Sequence, residues 1–232
     1  MLLHLARFGG ALLDFLYPPQ CLLCNAGEHT SETPHLCATC LKALRAEPVP
    51  PPVDLAAALA RHGLPCFVDE TLAAWEYSER MQTLVQAMKY EGKRSLAGLL
   101  AAGMATRLAA ASGGSHPEGV MVAVPMHARR RRERGYNQST LLAGQLSKTW
   151  GVPKSNHLCR VRDTLQQAKL SAAERRVNVD RAFAVTRPEA FLNKNVLVID
   201  DVVTTGSTVN ACAEALKAAG ALQVRVIAAA RA

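Results

Sequence analysis

The thirteen residues from Val196 to Thr208 constrain this chain more than any other stretch. Val196-Leu197-Val198-Ile199 are apolar and mostly β-branched, the composition of a buried strand. They run into Asp200 and Asp201, then into the hydroxyl-rich turn Thr204-Thr205-Gly206-Ser207-Thr208. Val209 to Gly220 is alanine-rich and reads as a helix closed by glycine. A strand, a small-residue loop and a helix N-terminus form an anion site, because backbone N–H groups and the helix dipole converge there. Thr204, Thr205, Ser207 and Thr208 add hydroxyl donors, and Gly206 lets the backbone approach a phosphate. Two carboxylates beside a phosphate would repel it. The pattern therefore calls for ribose hydroxyls, which donate to carboxylates, and for a divalent cation such as Mg²⁺.

This string resembles the signature of the type I phosphoribosyltransferases, which bind phosphoribosyl pyrophosphate (PRPP). The resemblance implies an α/β fold with a Rossmann-like, mostly parallel sheet. The competing reading is a Rossmann-like strand followed by acidic residues that serve no ligand.

A second pattern lies near the N-terminus. Cys21 and Cys24 form one CxxC knuckle, and Cys37 and Cys40 form another twelve residues later. Four thiolates in this spacing suit the tetrahedral coordination of a structural Zn²⁺. The segment between the knuckles is too short for a core of its own, so the metal would supply folding energy, on the order of 10 kcal/mol. An iron–sulfur cluster and a redox pair are the alternatives. His29 and His35 lie inside the module but are not needed as ligands. The remaining cysteines, Cys66, Cys159 and Cys212, sit among apolar residues and read as small buried hydrophobes.

The 232 residues, 49% of them hydrophobic and 20% charged, allow one sizeable globular core. Met1 to Leu16 reads as an amphipathic helix. Asp14 and Pro18-Pro19-Gln20 argue against a signal peptide, and no apolar run is long enough to cross a membrane. The expected location is the cytoplasm. The proline-rich linker Glu47 to Pro52 suggests two modules: residues 1–50 carry the ribbon, and residues 51–232 the phosphoribosyltransferase-like domain. Short helices are expected at Leu41–Leu44 and Leu55–Arg61. Further on come a strand at Thr71–Tyr77, helices from Ser78 to Tyr90 and Ser95 to Ala110, and an apolar run at Val120–Val124. A helix at Ser139–Trp150 and strands at Leu158–Val161 and Val224–Ala230 follow.

The net charge of +8 suits a polyanionic partner. Much of it is concentrated after Pro125, where Arg129, Arg130, Arg131, Arg132 and Arg134 crowd one segment. Three readings compete for this turn. It is a solvated basic loop, a pyrophosphate clamp using Arg129 or a neighbour, or a nucleic-acid contact using Arg130, Arg131, Arg132, Arg134 and the ring of Tyr136. His127 beside it reads as a hydrogen-bonded loop residue. The polar stretch Thr164–Leu170, followed by a short helix capped by Ser171 and Glu174, has the position of a flap over an active site.

The motifs occur in a fixed order: the two CxxC knuckles, then Tyr77…Arg80…Lys89-Tyr90-x-Gly92, and Val124-Pro125…Arg129…Arg134-Gly135-Tyr136-Asn137-Gln138. Gln167…Leu170-Ser171…Arg175…Asn178 and the acidic string complete the series. Together they resemble the ComF family, also called ComFC or GntX-like, from Leu16 to the C-terminus. The resemblance implies a type I phosphoribosyltransferase fold with an N-terminal zinc ribbon and an association with natural transformation and use of external DNA. It further implies that Asp200 and Asp201 serve catalysis by meeting the ribose hydroxyls and Mg²⁺. Thr204, Thr205, Gly206, Ser207 and Thr208 would hold the 5′-phosphate, and Arg129 or a neighbour the pyrophosphate.

Three functions fit these features. They are a phosphoribosyltransferase acting on an unknown acceptor, a non-catalytic adaptor for single-stranded DNA, and a PRPP sensor. Single-stranded DNA and proteins of DNA uptake or recombination are the expected macromolecular partners. Elemental analysis of the purified protein should find one zinc per chain, lost on Cys37→Ser. A metal-free, folded wild type would remove the ribbon.

Overall fold

The computed structural model describes residues 20–27, 33–111, 117–161 and 182–232. The expected N-terminal helix and the expected flap at Thr164–Leu170 with its helix lie outside these residues. The chain divides into two compact units, Met1–Glu47 and Pro48–Ala232.

In the first unit the residues around the first knuckle form a tight turn. The N–H of Asn25 donates to the carbonyl of Cys21 at 2.8 Å, and Asn25 adopts a positive φ of 60°. The N–H of Leu22 donates to the carbonyl of His35, which ties the two knuckles together. Helix α1 (Ala38–Ala46) follows, and Leu41 and Leu44 are its buried face. Cys37 caps it, accepting from the N–H of Cys40.

The second unit begins with α2 (Leu55–Ala60), capped by Asp54. Strand β1 (Glu70–Glu76) leads into α3 (Glu79–Tyr90), which Ser78 caps, and then α4 (Leu96–Ala111). Next come β2 (Val120–Ala123), α5 (Ala128–Arg134) and α6 (Gln138–Trp150). The short strands β3 (Leu158–Arg160) and β4 (Phe183–Val185) precede β5 (Asn195–Val203), α7 (Ser207–Ala218) and β6 (Gln223–Arg231).

β1, β6, β5 and β2 form one parallel sheet in that order. β5 has a neighbour on each side, Val196 pairing with Val120 of β2 and with Val224 of β6. Val196 through Ile199 are fully buried, an unbroken apolar run that suits a parallel strand covered on both faces. One face joins Val196, Val198, Val224 and Val226 to Val209, Cys212 and Leu216 of α7 and to Leu55 of α2. α4 and α6 pack against the sheet too, α6 against β2 and β5. The helices that follow β5 and β2 thus leave two adjacent strands for different layers, which opens a crevice at the carboxyl ends of those strands.

Three elements differ from the sequence expectation. The strand does not stop at Ile199 but runs through both aspartates to Val203, because Asp200 and Val202 stay in register with Ala228 and Ala230 of β6. The arginine-rich turn after Pro125 is helical. His127 caps α5, and Gly135, at φ +78°, ends it. The third, unforeseen feature is β4, which pairs antiparallel with β3 and sets Arg160 opposite Phe183.

Trp75 in β1 is fully buried beneath the guanidinium of Arg107, 4.9 Å from its ring centroid. Arg107 is itself fixed, its Nε donating to the carbonyl of Ala74 at 2.8 Å and its Nη2 to that of Pro48. A Cβ at Gly103 of α4 would lie 2.4 Å from the Trp75 ring, whereas one at Gly98 would meet open space. Gly98→Ala should stabilise the protein by up to about 1 kcal/mol through helix propensity. Gly103→Ala should destabilise it by about 1–3 kcal/mol, because the overpacking exceeds the propensity gain. Denaturant titration of the two variants checks the opposite signs.

Candidate functional site

In the N-terminal unit the thiol sulfurs of Cys21, Cys24, Cys37 and Cys40 all lie within 4.8 Å of one another. Cys24 Sγ and Cys37 Sγ are 3.6 Å apart. Tetrahedral zinc with bonds of about 2.3 Å requires sulfur–sulfur separations near 3.8 Å, so the four thiols fit that ion. All four are free of disulfides. Burial raises the Cys21 thiol, but N–H groups including that of Cys37 outweigh it and bring the group down to about 6. Burial and the neighbouring thiols push Cys40 the other way, so Cys21 is the thiolate that meets the ion first and zinc binding would release the proton of Cys40.

In the second unit the chemistry gathers at the carboxyl end of β5. Asp200 and Asp201 share a cavity of about 240 Å³ with Lys89, Arg130, Arg134, Arg160, Gln138 and Thr208, among others. Asp201 is buried and pairs with Lys89 Nζ at 2.8 Å. Asp200 Oδ1 accepts from Ser139 Oγ at 2.8 Å and from the N–H of Asp201 at 2.9 Å. Ser139 is positioned by Asn137, whose Oδ1 caps α6 and whose Nδ2 donates to the carbonyl of Val124. Gln138, 1% exposed, accepts from Arg134 through Oε1, and its Nε2 has no partner among the described residues. Among the described residues the cavity therefore sets four cations around two carboxylates.

The segment after β5 reaches the cavity through Thr208. Gly206 holds a left-handed φ of +74° at the N-terminus of α7, and a Cβ there would lie 1.9 Å from Leu55 Cδ1. Both the backbone and the packing demand glycine. Gly206 has no side chain to cap this helix, and the first-turn amide of Ser207 makes only a long, 3.5 Å contact to Thr205 Oγ1. Thr204, Thr205 and Thr208 are exposed, and Thr205 and Ser207 share a hydroxyl contact of 3.1 Å.

A family profile described as "Phosphoribosyl transferase domain" matches residues 136–232, and one described as "Double zinc ribbon domain" matches residues 12–53. Competence protein F of Haemophilus influenzae is 36% identical over 171 residues, spanning 71% of this chain and 73% of that protein. The DNA utilization protein YhgH of Salmonella typhimurium is 32% identical over 221 residues, 90% of this chain and 95% of its own length. The chain belongs to the ComF family. Among solved structures, the B. subtilis glutamine PRPP amidotransferase aligns with a TM-score of 0.38 and 22% identity over 59% of this chain and 25% of its own. Fold and family agree on a phosphoribosyltransferase domain of type I with an N-terminal zinc ribbon. Within residues 12–53 this ComF chain carries four cysteines, the complement of a single tetrathiolate site.

The five arginines of the ComF basic motif separate when folded. Arg130 and Arg134 line the carboxylate cavity. Arg129, 71% exposed, pairs instead with Glu133 at 3.0 Å along the same helix. Arg131 borders a different cavity, with Lys154 and Arg160, and Arg132 is exposed. Tyr136 is buried rather than offered to a partner: its hydroxyl donates to the carbonyl of Met88, and Arg94 covers its ring at 4.4 Å. Lys89, Ser139, Gln138 and Arg160 received no role from sequence reasoning. Lys89-Tyr90-x-Gly92 and Asn137-Gln138 were visible as family motifs, but nothing in the string says that they meet the aspartates. Arg160 carried no signal.

Burial first, and then the neighbouring Asp201, raise the Asp200 carboxyl to about 7, against pulls from Ser139, the Asp201 N–H and Lys89. In the unfolded chain the same group titrates at 3.8. Between those values the folded protein holds a proton that the unfolded chain has released. This contribution to stability is full below 3.8 and is lost as pH rises through about 7. Asp200→Asn should flatten that decline in thermal melts run from about pH 5 to about pH 8 without added divalent cation. An unchanged slope would show that Asp200 is already ionised at the acid end.

Proposed function

We propose that this ComF protein binds PRPP with Mg²⁺ in the carboxylate cavity and transfers its phosphoribosyl group to a nucleic-acid-derived acceptor in the service of DNA use. The observation that carries the reading is the company Asp200 and Asp201 keep: four cations and the uncapped start of α7 at one strand end. Ribose hydroxyls would donate to the two carboxylates. The amides and hydroxyls from Thr204 to Thr208 would take the 5′-phosphate. Arg130 and Arg134 would hold the pyrophosphate in preference to Arg129, since their side chains border the cavity. Asp200 and Asp201 offer the hard oxygen ligands that Mg²⁺ selects, and the ion would supply charge neutralisation at the pyrophosphate. Transfer breaks the C1–O bond with its electron pair leaving on pyrophosphate. The carboxylates would stabilise the cationic sugar carbon while a nucleophilic atom of the acceptor forms the new bond to C1 and loses its proton to solvent or to the departing pyrophosphate, so positioning and electrostatics carry the step.

Free thiols and a thiolate metal site suit a reducing compartment, consistent with action in the cytoplasm. Among the described residues no helix is long and apolar enough to cross a membrane.

A second reading draws on Arg131 and Arg132, which are exposed and make no ion pair with a described carboxylate. On that reading the same fold is an adaptor for single-stranded DNA or a PRPP sensor, without turnover.

Calorimetric titration of PRPP with Mg²⁺ should show binding to the wild type and at least about a tenfold loss on Asp200→Asn with Asp201→Asn, given charge-assisted bonds. No heat with wild type would remove both enzyme and sensor. Pyrophosphate release with a candidate acceptor separates those two. An oligonucleotide affinity that ignores salt and ignores Arg131→Ala with Arg132→Ala would remove the adaptor.

A further inference from the structure

Beside the carboxylate cavity lies a second one of about 490 Å³, lined by Lys89, Tyr90, Arg94, Arg130, Glu133 and Arg134, with Gly92 and Tyr136. It shares Lys89, Arg130 and Arg134 with the first, so a ligand in one would sit against a ligand in the other. Its volume falls within the range of small-molecule sites, about 300–1,000 Å³.

Tyr90 is the feature that packing does not explain. It ends α3 and is 74% exposed, more than the other large apolar side chains exposed among the described residues, which stand at 54–59%. The Arg134 guanidinium lies 4.9 Å from its ring centroid. Deeper in the same cavity Arg94 covers Tyr136 at 4.4 Å. Two guanidinium–phenol layers thus line one opening. Gly135 allows this, since a Cβ there would come 3.3 Å from Arg94 Nη2. Neither Arg94 nor Arg130 has a carboxylate partner among the described residues.

The lining narrows the ligand class. Lys89 is paired with Asp201, which leaves Arg94, Arg130 and Arg134 against one lining carboxylate, Glu133, which already holds Arg129; that balance excludes a cationic ligand and disfavours a neutral apolar one. A bare anion would leave the exposed ring of Tyr90 unused. A free base would leave Arg94 and Arg130 unused. A ligand that uses both is flat, aromatic and phosphorylated.

We propose that this cavity is a nucleotide subsite, in which a base stacks on the Tyr90–Arg134 layer and its phosphate is held by Arg94 and Arg130. Its role as the acceptor side of the carboxylate cavity rests on the PRPP reading, with Arg130, which lines both cavities, bridging the two phosphate groups; nucleotide binding itself does not.

The test uses the full-length, zinc-loaded protein without PRPP, titrated with dAMP, with deoxyadenosine and with inorganic phosphate. The dAMP should bind at least about tenfold more tightly than either part, because both contacts are made together. Tyr90→Ala should weaken dAMP by about tenfold or more, and Tyr90→Trp should restore it, as stacking predicts. Arg130→Gln should erase the preference for dAMP over deoxyadenosine. Equal affinity for dAMP and inorganic phosphate, or a Tyr90→Ala variant that binds dAMP as wild type does, overturns the subsite. A parallel PRPP–Mg²⁺ titration keeps the two readings apart. Failure of PRPP with dAMP binding intact removes only the function proposed above, and the reverse removes only the subsite.

Discussion

Two adjacent carboxylates at the end of a fully buried strand are the constraint around which this molecule is arranged. Burying one unpaired charge is costly, and burying two that repel is worse. The fold answers with directed donors. Ser139 and the Asp201 amide serve Asp200, and Lys89 serves Asp201. Each partner comes from a different element, so the pair is held only when the start of α6, the end of α3 and β5 are all in place. Parallel pairing on both sides of β5 gives that strand no freedom to shift and relieve the repulsion.

The same constraint explains the surrounding charge. Arg130 and Arg134 line a cavity in which, among the described residues, two carboxylates stand, and Lys89 is already committed to one of them. Among the described residues the cations lining it outnumber the carboxylates. A ligand rich in phosphate supplies the balance. The short helix α5 is the sorting device. Its turn sends Arg130 and Arg134 toward the aspartates, while Arg129 turns to Glu133 on the outside. The zinc ribbon is organised by separate chemistry, because four thiols at metal-compatible spacing close its two knuckles on one another, beside the buried Leu36, Leu41 and Leu44.

Local patterns were readable where the physics is local. The apolar run Val196–Ile199, the cap at Ser78 and the stop at Gly151 depend on residues within one turn or one strand. The two CxxC knuckles depend on ligand spacing alone, and the sulfurs come together as that spacing requires. The readings that shifted depended on distant neighbours. Asp200 and Asp201 remain strand because β6 continues alongside them, which the string Asp-Asp-Val-Val does not announce. Arg129 to Arg134 could be read as charge but not as direction, since helical geometry decides which side chain faces inward.

The chemistry available to this ComF protein is written in its amino-acid order: a paired carboxylate, a hydroxyl and glycine loop, a basic segment and four thiols in zinc spacing. Composition and order carry such information because each motif works through residues that are close along the chain. The tertiary structure decided which of these residues meet. It brought Lys89, Ser139 and Arg160 to the aspartates from segments far from them in the sequence. It buried Tyr136 and left Tyr90 in the open. The reason is that burial and pairing are set by which strands and helices pack together, and no short stretch of sequence contains its own neighbours.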